Sequence, residues 1–552
     1  MAYPAVALYA LLDHAADTAP GTLACAFHNS TMNYAKLREK AEIMAANLRK
    51  HGLQPGDRVI ILLPNLPQTI IALWGVLKAG GIGVMSNPLY MEKEILHQAK
   101  DSGADYLITL DALWSKIDNL RPHLDIKKYF VTSIPEALTF PINWLYRIKR
   151  AKEKASPKVI YDNTTVFPFS ALFKGRERLS CPVEDPKKAV ALLQYSGGTT
   201  GVPKGVMLTH YNLVANVHQA VDALKLSKDQ GHKLLAVLPF FHVYGLTTCL
   251  FVPPAIHATV FPLPRYAPQE VLQALTKNTL NIFPGAPSIY ISLLQQKNIA
   301  DYDLSRLTHC ISGSAPMPVD YIRRFKEQIG NVLIEGYGLT ESSPITHLNP
   351  IDSQRKAGSI GIALPNTDAK IVDLEVGTLE LPRGKIGELI VRGPQVMAGY
   401  WNNPDESAYA VRNGWLYTGD IAFMDEDGYC YIVDRKKDMT IVGGYNVYPR
   451  EIDEVLHEHP LVKEAVAVGV PHPTRGEIIK AYIVPVDGAT MDKADIMAHC
   501  RSKLANYKIP RQVEFRKELP KTMVGKILRR TLRAEEEEKF GSRSGHETDA
   551  AK

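Results

Sequence analysis

Between Gln194 and Gly205 the chain reads QYSGGTTGVPKG, which sets four glycines among a serine, two threonines and a lysine. Without Cβ atoms at Gly197, Gly198 and Gly201, backbone N–H groups can approach an anion and form a concave nest. The hydroxyls of Ser196, Thr199 and Thr200 and the ammonium of Lys204 add donors and charge, a set suited to phosphate oxygens. The Walker pattern GxxxxGK[ST] does not fit, because Lys204 follows Pro203 and precedes Gly205. Taken alone, the stretch reads as a phosphate loop of another kind or as a turn between elements.

Such a loop needs rigid elements on either side. The first 130 residues alternate short β-branched runs, DRVIILLP and ADYLITL, with helical patterns, YAKLREKAEIMAANLRK and MEKEILHQAKDSG. This rhythm predicts a largely parallel sheet with helices on both faces. It returns beyond the glycine-rich stretch as KLLAVLP and LNIFPG for strands, with APQEVLQALTKNT and VDYIRRFKEQIG for helices. From Thr367 the texture changes to alternating runs with glycine turns, DAKIVD, GELIVRG and GYCYIVD, which predict an antiparallel, barrel-like subdomain. Near Asp434 a second unit begins, with PREIDEVLHEHP as helix and VKEAVAVGVP and EIIKAYIVP as strands, a compact α+β pattern. The expected fold is α/β: an N-terminal domain over 1–434, made of doubly wound βα subdomains and the barrel-like one, and a small α+β domain over 435–530. After Arg530 apolar periodicity is lost, and residues 531–552 are expected to be disordered beyond one or two helical turns.

A chain of 552 residues exceeds one hydrophobic core, and 45% apolar with 22% charged residues is ordinary for a soluble globular protein. Lys and Arg exceed Asp and Glu by 64 − 58 = 6, an excess that suits anionic ligands but is too diffuse for nucleic acid. Cys25, Cys181, Cys249, Cys310, Cys430 and Cys500 form no CxxC pair, which disfavours a zinc site and a disulfide framework and fits a reducing, cytosolic compartment. The N-terminus lacks the basic region of a signal peptide, and the most apolar window is broken by two prolines, so no membrane span is expected. FPINWLYRIKRAKEKASPK, Phe140 to Lys158, reads either as a helix touching a membrane surface or as a solvated surface helix.

Five stretches in order, YSGGTTGVPKG, EGYGLTES, GWLYTGDIAFMDEDGY, IVDRKKDMTIVGGYNVYPREIDE and LPKTMVGKILRR, resemble the motifs of the adenylate-forming enzymes. That superfamily holds acyl-CoA synthetases, firefly luciferase and peptide-adenylation domains, and the resemblance runs from about Ala7 to Arg530. It implies that Ser196, Gly197, Gly198, Thr199, Thr200, Gly201 and Lys204 hold the β- and γ-phosphates of ATP. Many members have serine where this chain has Gly197, and the GGTTG form resembles bacterial long-chain fatty acyl-CoA synthetases. Tyr337, after Gly336, is placed like the ring that stacks on adenine, Thr340 like the hydroxyl on the α-phosphate and Glu341 like the Mg²⁺ carboxylate. Hard Mg²⁺ prefers oxygen and shares itself between a carboxylate and substrate phosphates. Asp420 is placed to accept both ribose hydroxyls, with Arg435 assisting.

Lys526 resembles the lysine that reaches the reacting carboxylate and α-phosphate, where a positioned ammonium stabilises developing charge. His242 sits where the family has an aromatic or imidazole group near the acyl and thiol entry; a satisfied core histidine is the other reading. GAPSIY, from Gly285 to Tyr290, and SGSAP, with Gly313 and Ser314, resemble segments lining the acyl pocket and the adenine, although their glycines would equally serve tight turns. Tyr244, Leu246 and Tyr290 are candidates for closing the acyl tunnel. The resemblance further implies a mobile C-terminal domain that turns at a hinge matching Asp434 to Lys437, with Gly443, Gly444 and Tyr445 beside pantetheine.

The expected activity is an ATP- and Mg²⁺-dependent ligase that converts a fatty acid, by expectation a long-chain one, to acyl-AMP with release of pyrophosphate and then to acyl-CoA. The alternatives are a ligase for medium-chain or aryl acids, an acyl-AMP ligase loading a carrier protein, and a non-enzymatic ATP-binding scaffold. The expected partners are fatty acid, ATP and CoA, with no nucleic acid. Membrane contact at the inner face and a homodimer stay open at this point.

Overall fold

The computed structural model describes residues 2–152, 158–196, 203–352, 354–442, 445–472, 476–522 and 525–549. Its first sheet has eight strands in the order Gly399–Tyr400, Lys204–Thr209, Val190–Ser196, Ile82–Met85, Arg58–Leu62, Tyr106–Leu110, Lys128–Thr132 and Val166–Pro168. From Val190–Ser196 onward the neighbours are parallel. All five residues of Tyr106–Leu110 are buried, as expected of a parallel strand covered on both faces. At the other edge Lys204–Thr209 runs antiparallel to Val190–Ser196, so the described ends of the glycine-rich stretch lie on adjacent strands.

The second sheet has nine strands, and its centre is a parallel run of Leu333–Gly338, His309–Ser312, Ile282–Gly285, Lys233–Ala236, Thr259–Pro262 and Leu23–Phe27. Antiparallel strands close both ends. The helix Pro67–Lys78 is buried along its whole length after Pro67, and its apolar residues are not confined to one stripe. Its one cation, Lys78, meets Asp13 at 2.5 Å and Glu42 at 3.5 Å, which makes a fully buried ammonium tolerable. The helix Tyr34–Lys50 starts where Asn33 accepts a hydrogen bond from the Lys36 N–H at 2.9 Å.

A third sheet is antiparallel, as the sequence predicts, with Trp415–Met424 flanked by Gly387–Arg392, Val411–Arg412 and Cys430–Arg435. The C-terminal unit carries its own sheet, in which Val462–His472 and Gly476–Pro485 pair over most of their length. The helices Pro449–His457 and Lys493–Arg501 supply Ile452, Leu456, Ile496 and Cys500 to a separate core. The six cysteines are free thiols. Among the described residues no helix is long and apolar enough to cross a membrane.

A helix runs from Arg529 to Asp549. Its start is held by contacts that composition does not reveal. Leu532 is fully buried, Glu535 pairs with Arg516 at 2.5 Å, and Glu536 meets Lys480 at 3.0 Å. The acidic run therefore neutralises cations of the C-terminal sheet.

Candidate active site

Ser196 and Lys204, at the described ends of the glycine-rich stretch, face each other as the last pair in register of two antiparallel strands. Gly197, Gly198, Thr199, Thr200 and Gly201 lie outside the described residues. At Gly205 a Cβ would come within 3.3 Å of both Trp401 and the Tyr195 ring, so glycine is needed for close packing here. Lys204 reaches Glu406 at 2.7 Å and lies 5.4 Å from the Tyr400 ring centroid. Asn403 caps the helix Pro404–Ala410 and so brings Glu406 into its first turn.

Glu341, from a 3₁₀ turn Thr340–Ser342, approaches the same pair of strands. Its carboxylate accepts hydrogen bonds from Tyr400 at 2.9 Å and Ser196 at 3.4 Å. The preceding strand is close-packed, because a Cβ at Gly338 would overlap the Pro344 carbonyl and one at Gly336 would touch Leu348. Thus the carboxylate meant for a metal and the lysine meant for phosphate share one neighbour, Tyr400.

The Tyr337 hydroxyl donates to Asp420 at 2.5 Å, while Arg435 Nε lies 3.1 Å from the other carboxylate oxygen. Asp420 and Arg435 are paired across antiparallel strands, which fixes this contact through backbone register. Burial and the adjacent Asp420 charge push the Tyr337 hydroxyl well above its ordinary pKa, so it remains a donor. The ring of Tyr337 lies 6.0 Å from buried His347.

His242, Tyr244, Gly285, Tyr290, Gly313 and Ser314 also come together. Tyr244 and Tyr290 both donate to the Ile311 carbonyl, at 3.0 and 3.2 Å. A Cβ at Gly285 would lie 2.8 Å from the Tyr290 ring, and one at Gly313 would lie 3.1 Å from the Tyr244 ring, so both glycines admit a tyrosine. Leu246 is fully buried in the same helix as Tyr244. Ser314 has φ +68° and a buried hydroxyl with no hydrogen-bond partner among the described residues. His242 Nδ1 accepts the Tyr244 N–H at 3.2 Å, which leaves the ring proton on Nε2. Burial, helped by nearby Lys526, pushes its pKa down to about 4 and keeps the ring neutral.

Lys526 enters from the C-terminal unit. The Thr522 N–H donates to the Lys526 carbonyl at 2.8 Å, and the Lys526 N–H donates to the Thr522 hydroxyl at 3.1 Å. Gly525 has φ +76°, and a Cβ there would lie 2.0 Å from Ser288 Oγ, so the turn docks directly on the helix Pro287–Leu294. The Arg435 guanidinium and withdrawal from water lower the Lys526 pKa to about 7, against the pull of Asp420 and Asp438. At the expected hinge, Asp434 is buried and accepts the Arg435 N–H at 2.7 Å and the Arg450 N–H at 2.9 Å. Arg529 approaches Asp434 and Asp438 at 3.8 and 3.9 Å and pairs with Asp453. Burial and Arg435 lower the Lys437 pKa. Gly443 and Gly444 lie outside the described residues, and Tyr445 stacks on Tyr507 with 59% of its surface exposed.

The arrangement gathers hydroxyls, carboxylates and cations at the carboxyl ends of strands from both parallel sheets, the usual ligand position in such folds. The model of the AMP-binding enzyme family matches residues 12–401, and that of the AMP-binding enzyme C-terminal domain matches residues 451–526. The chain belongs to the AMP-binding enzyme family. Within that family it is 45% identical to a long-chain-fatty-acid–CoA ligase of Bacillus subtilis, over 97% of this chain and 95% of that protein. It is 32% identical to 4-coumarate–CoA ligase 2 of Nicotiana tabacum, over 91% of this chain and 89% of that protein. Among solved AMP-binding enzymes, ATP-bound MatB from Rhodopseudomonas palustris superposes with a TM-score of 0.84 at 29% identity, covering 95% of this chain and 98% of that one.

Tyr400 and Glu406 are site neighbours outside the stretches that the sequence singles out, while Ser288 and Arg529 lie inside two of them without an assigned role. The Asn403–Pro404 helix start was a readable signal for Glu406, but nothing in the spacing ties it to Lys204.

Proposed function

We propose that this enzyme activates a long-chain fatty acid with ATP and transfers the acyl group to CoA. In the first step a carboxylate oxygen of the acid bonds to the α-phosphorus of ATP. The bond from that phosphorus to the bridging oxygen breaks, and pyrophosphate leaves with the electron pair. In the second step the CoA thiolate bonds to the acyl carbon and AMP leaves.

The observation that best supports this reading is that Lys526, from the C-terminal unit, lies close enough to Asp420 and Arg435 to feel their charges, with Tyr337 bonded to the same Asp420, since anion–anion attack needs an ammonium beside the ribose anchor. Ser196, Thr199, Thr200 and Lys204, on the Gly197, Gly198 and Gly201 backbone, hold the phosphates in this reading. Thr340 bonds the α-phosphate, Gly336 and Tyr337 receive adenine with Ser314, and Asp420 with Arg435 holds the ribose. Glu341 would hold Mg²⁺, and the fit is sound: one carboxylate beside phosphate oxygens is the donor set a hard cation takes. When bound, the ion neutralises phosphate charge. Tyr244, Gly285 and Gly313 shape the acyl pocket beside His242. Asp434 and Lys437 form the hinge between 1–434 and 435–530, and Gly443, Gly444 and Tyr445 accompany CoA. The high identity to fatty-acid ligases supports the acid and the acceptor.

The test is pyrophosphate release with ATP and Mg²⁺ across acetate, palmitate and benzoate, each with and without CoA. Sustained turnover that is greatest with palmitate and needs CoA is the expected result. A maximum at benzoate would overturn the substrate, and turnover independent of CoA would overturn the acceptor.

A further inference from the structure

The segment Phe140–Lys152 is unusual for the surface of a globular enzyme. Phe140 is 78% exposed, Trp144 56%, and Leu145 54%, and Ile142 is exposed beside them. All four sit at or before the first turn of the helix Ile142–Lys152. Arg147 and Lys149, exposed one turn further along, continue the same outward surface. The segment holds four cations and no carboxylate. Ile160, 72% exposed, and Tyr161 lie on the chain that follows, and Tyr161 faces Asp111 and Glu136, the carboxylates that border this helix through Arg150 and Arg147. An apolar group of this kind costs free energy in water unless something covers it.

We infer that this surface docks on an anionic lipid bilayer, with Phe140, Trp144 and Leu145 entering the acyl boundary while Arg147 and Lys149 lie among the headgroups. The order of the residues carries the argument. A large aromatic and a leucine at one end, followed within a turn by cations, match the depth profile of a membrane interface. Protein–protein interfaces instead are depleted in lysine at their centre. Anionic lipid adds attraction for each cation close to the surface. Nothing in this inference depends on the ligase reading.

Trp144 is the one exposed member of the five tryptophans, so its fluorescence reports the surface directly. The experiment sediments the full chain with vesicles of phosphatidylcholine alone or mixed with phosphatidylglycerol, and follows quenching by brominated acyl chains. Binding to the mixed vesicles, with quenching of tryptophan emission, is the expected result. Phe140→Ser with Leu145→Ser should weaken binding about tenfold or more, and Arg147→Glu with Lys149→Glu should abolish the preference for phosphatidylglycerol. These side chains are exposed, so circular dichroism and the melting temperature should stay those of the parent chain. Equal sedimentation with both vesicle types, or variants that bind like the parent, would overturn the inference. Concentration-dependent dimerisation that the serine pair abolishes, without vesicle binding, would overturn it too and reassign the surface to a second copy of the chain.

Discussion

At the scale of single residues, the contacts around Lys526 make the sharpest demand. Its ammonium sits near Arg435, Asp420 and Asp438, where the guanidinium and burial outweigh the two carboxylates and a bound anion would favour the second cation. Lys526→Ala should therefore lower acyl-adenylate formation by about 10²–10³-fold, the usual cost of losing one positioned electrostatic group. Thioester formation from supplied acyl-AMP should be preserved, and measuring both half-reactions by rapid quench separates the two. If both fall together, the lysine serves the fold and not the first step. The resemblance of their motifs to those of the adenylate-forming enzymes singled out Lys526, Glu341 and Asp420 as candidates, each within a few residues of its motif neighbours. The bond from Tyr337 to Asp420 was not legible, since 83 residues separate the pair and no local rule joins them. Tyr400 was missed for the same reason, although its hydroxyl holds the very carboxylate that the motif singled out.

At the scale of elements, the reading of the sequence succeeded where one face or period dominates. The helix Tyr34–Lys50 coincides with its predicted stretch, and the parallel strands emerge from their β-branched runs. The start of the acidic tail was less legible, because the helix gains its hold there from Lys480 on a distant strand and from Arg516 just after another. The turn carrying Gly525 is the element on which the site most depends. Its positive φ and the closeness of Ser288 leave no room for a side chain. Gly525→Val should undock this turn from the helix Pro287–Leu294, with at least a tenfold loss in adenylation and a much smaller loss in thioester formation. The melting temperature checks that the domain itself still folds. A variant with full adenylation activity would show that docking at Ser288 is dispensable.

At the scale of the whole molecule, the relation between the two domains is coupled to protonation. Lys526 titrates near 7 when docked beside Arg435, whereas a solvated lysine titrates near 10.4. Between those values the undocked form binds more protons, so docking in the free enzyme should strengthen as pH rises from about 7 towards 10. In the proposed reaction adenylation needs the charged ammonium, so its kcat/KM should fall over the same range. Small-angle scattering and initial rates, run in parallel on the parent chain and Lys526→Ala, check these opposite trends. The variant should lose the pH dependence of docking.

The nearness of Lys526 and Arg435 also orders events in time. In the proposed reaction a triphosphate would add negative charge beside the two cations, and the departing pyrophosphate would carry most of it away. Lys526 and Arg435 would then repel each other more strongly than before the chemical step. That repulsion would favour release of the turn at Gly525 from Ser288 once the mixed anhydride exists, so the first step would itself prepare the site for the second.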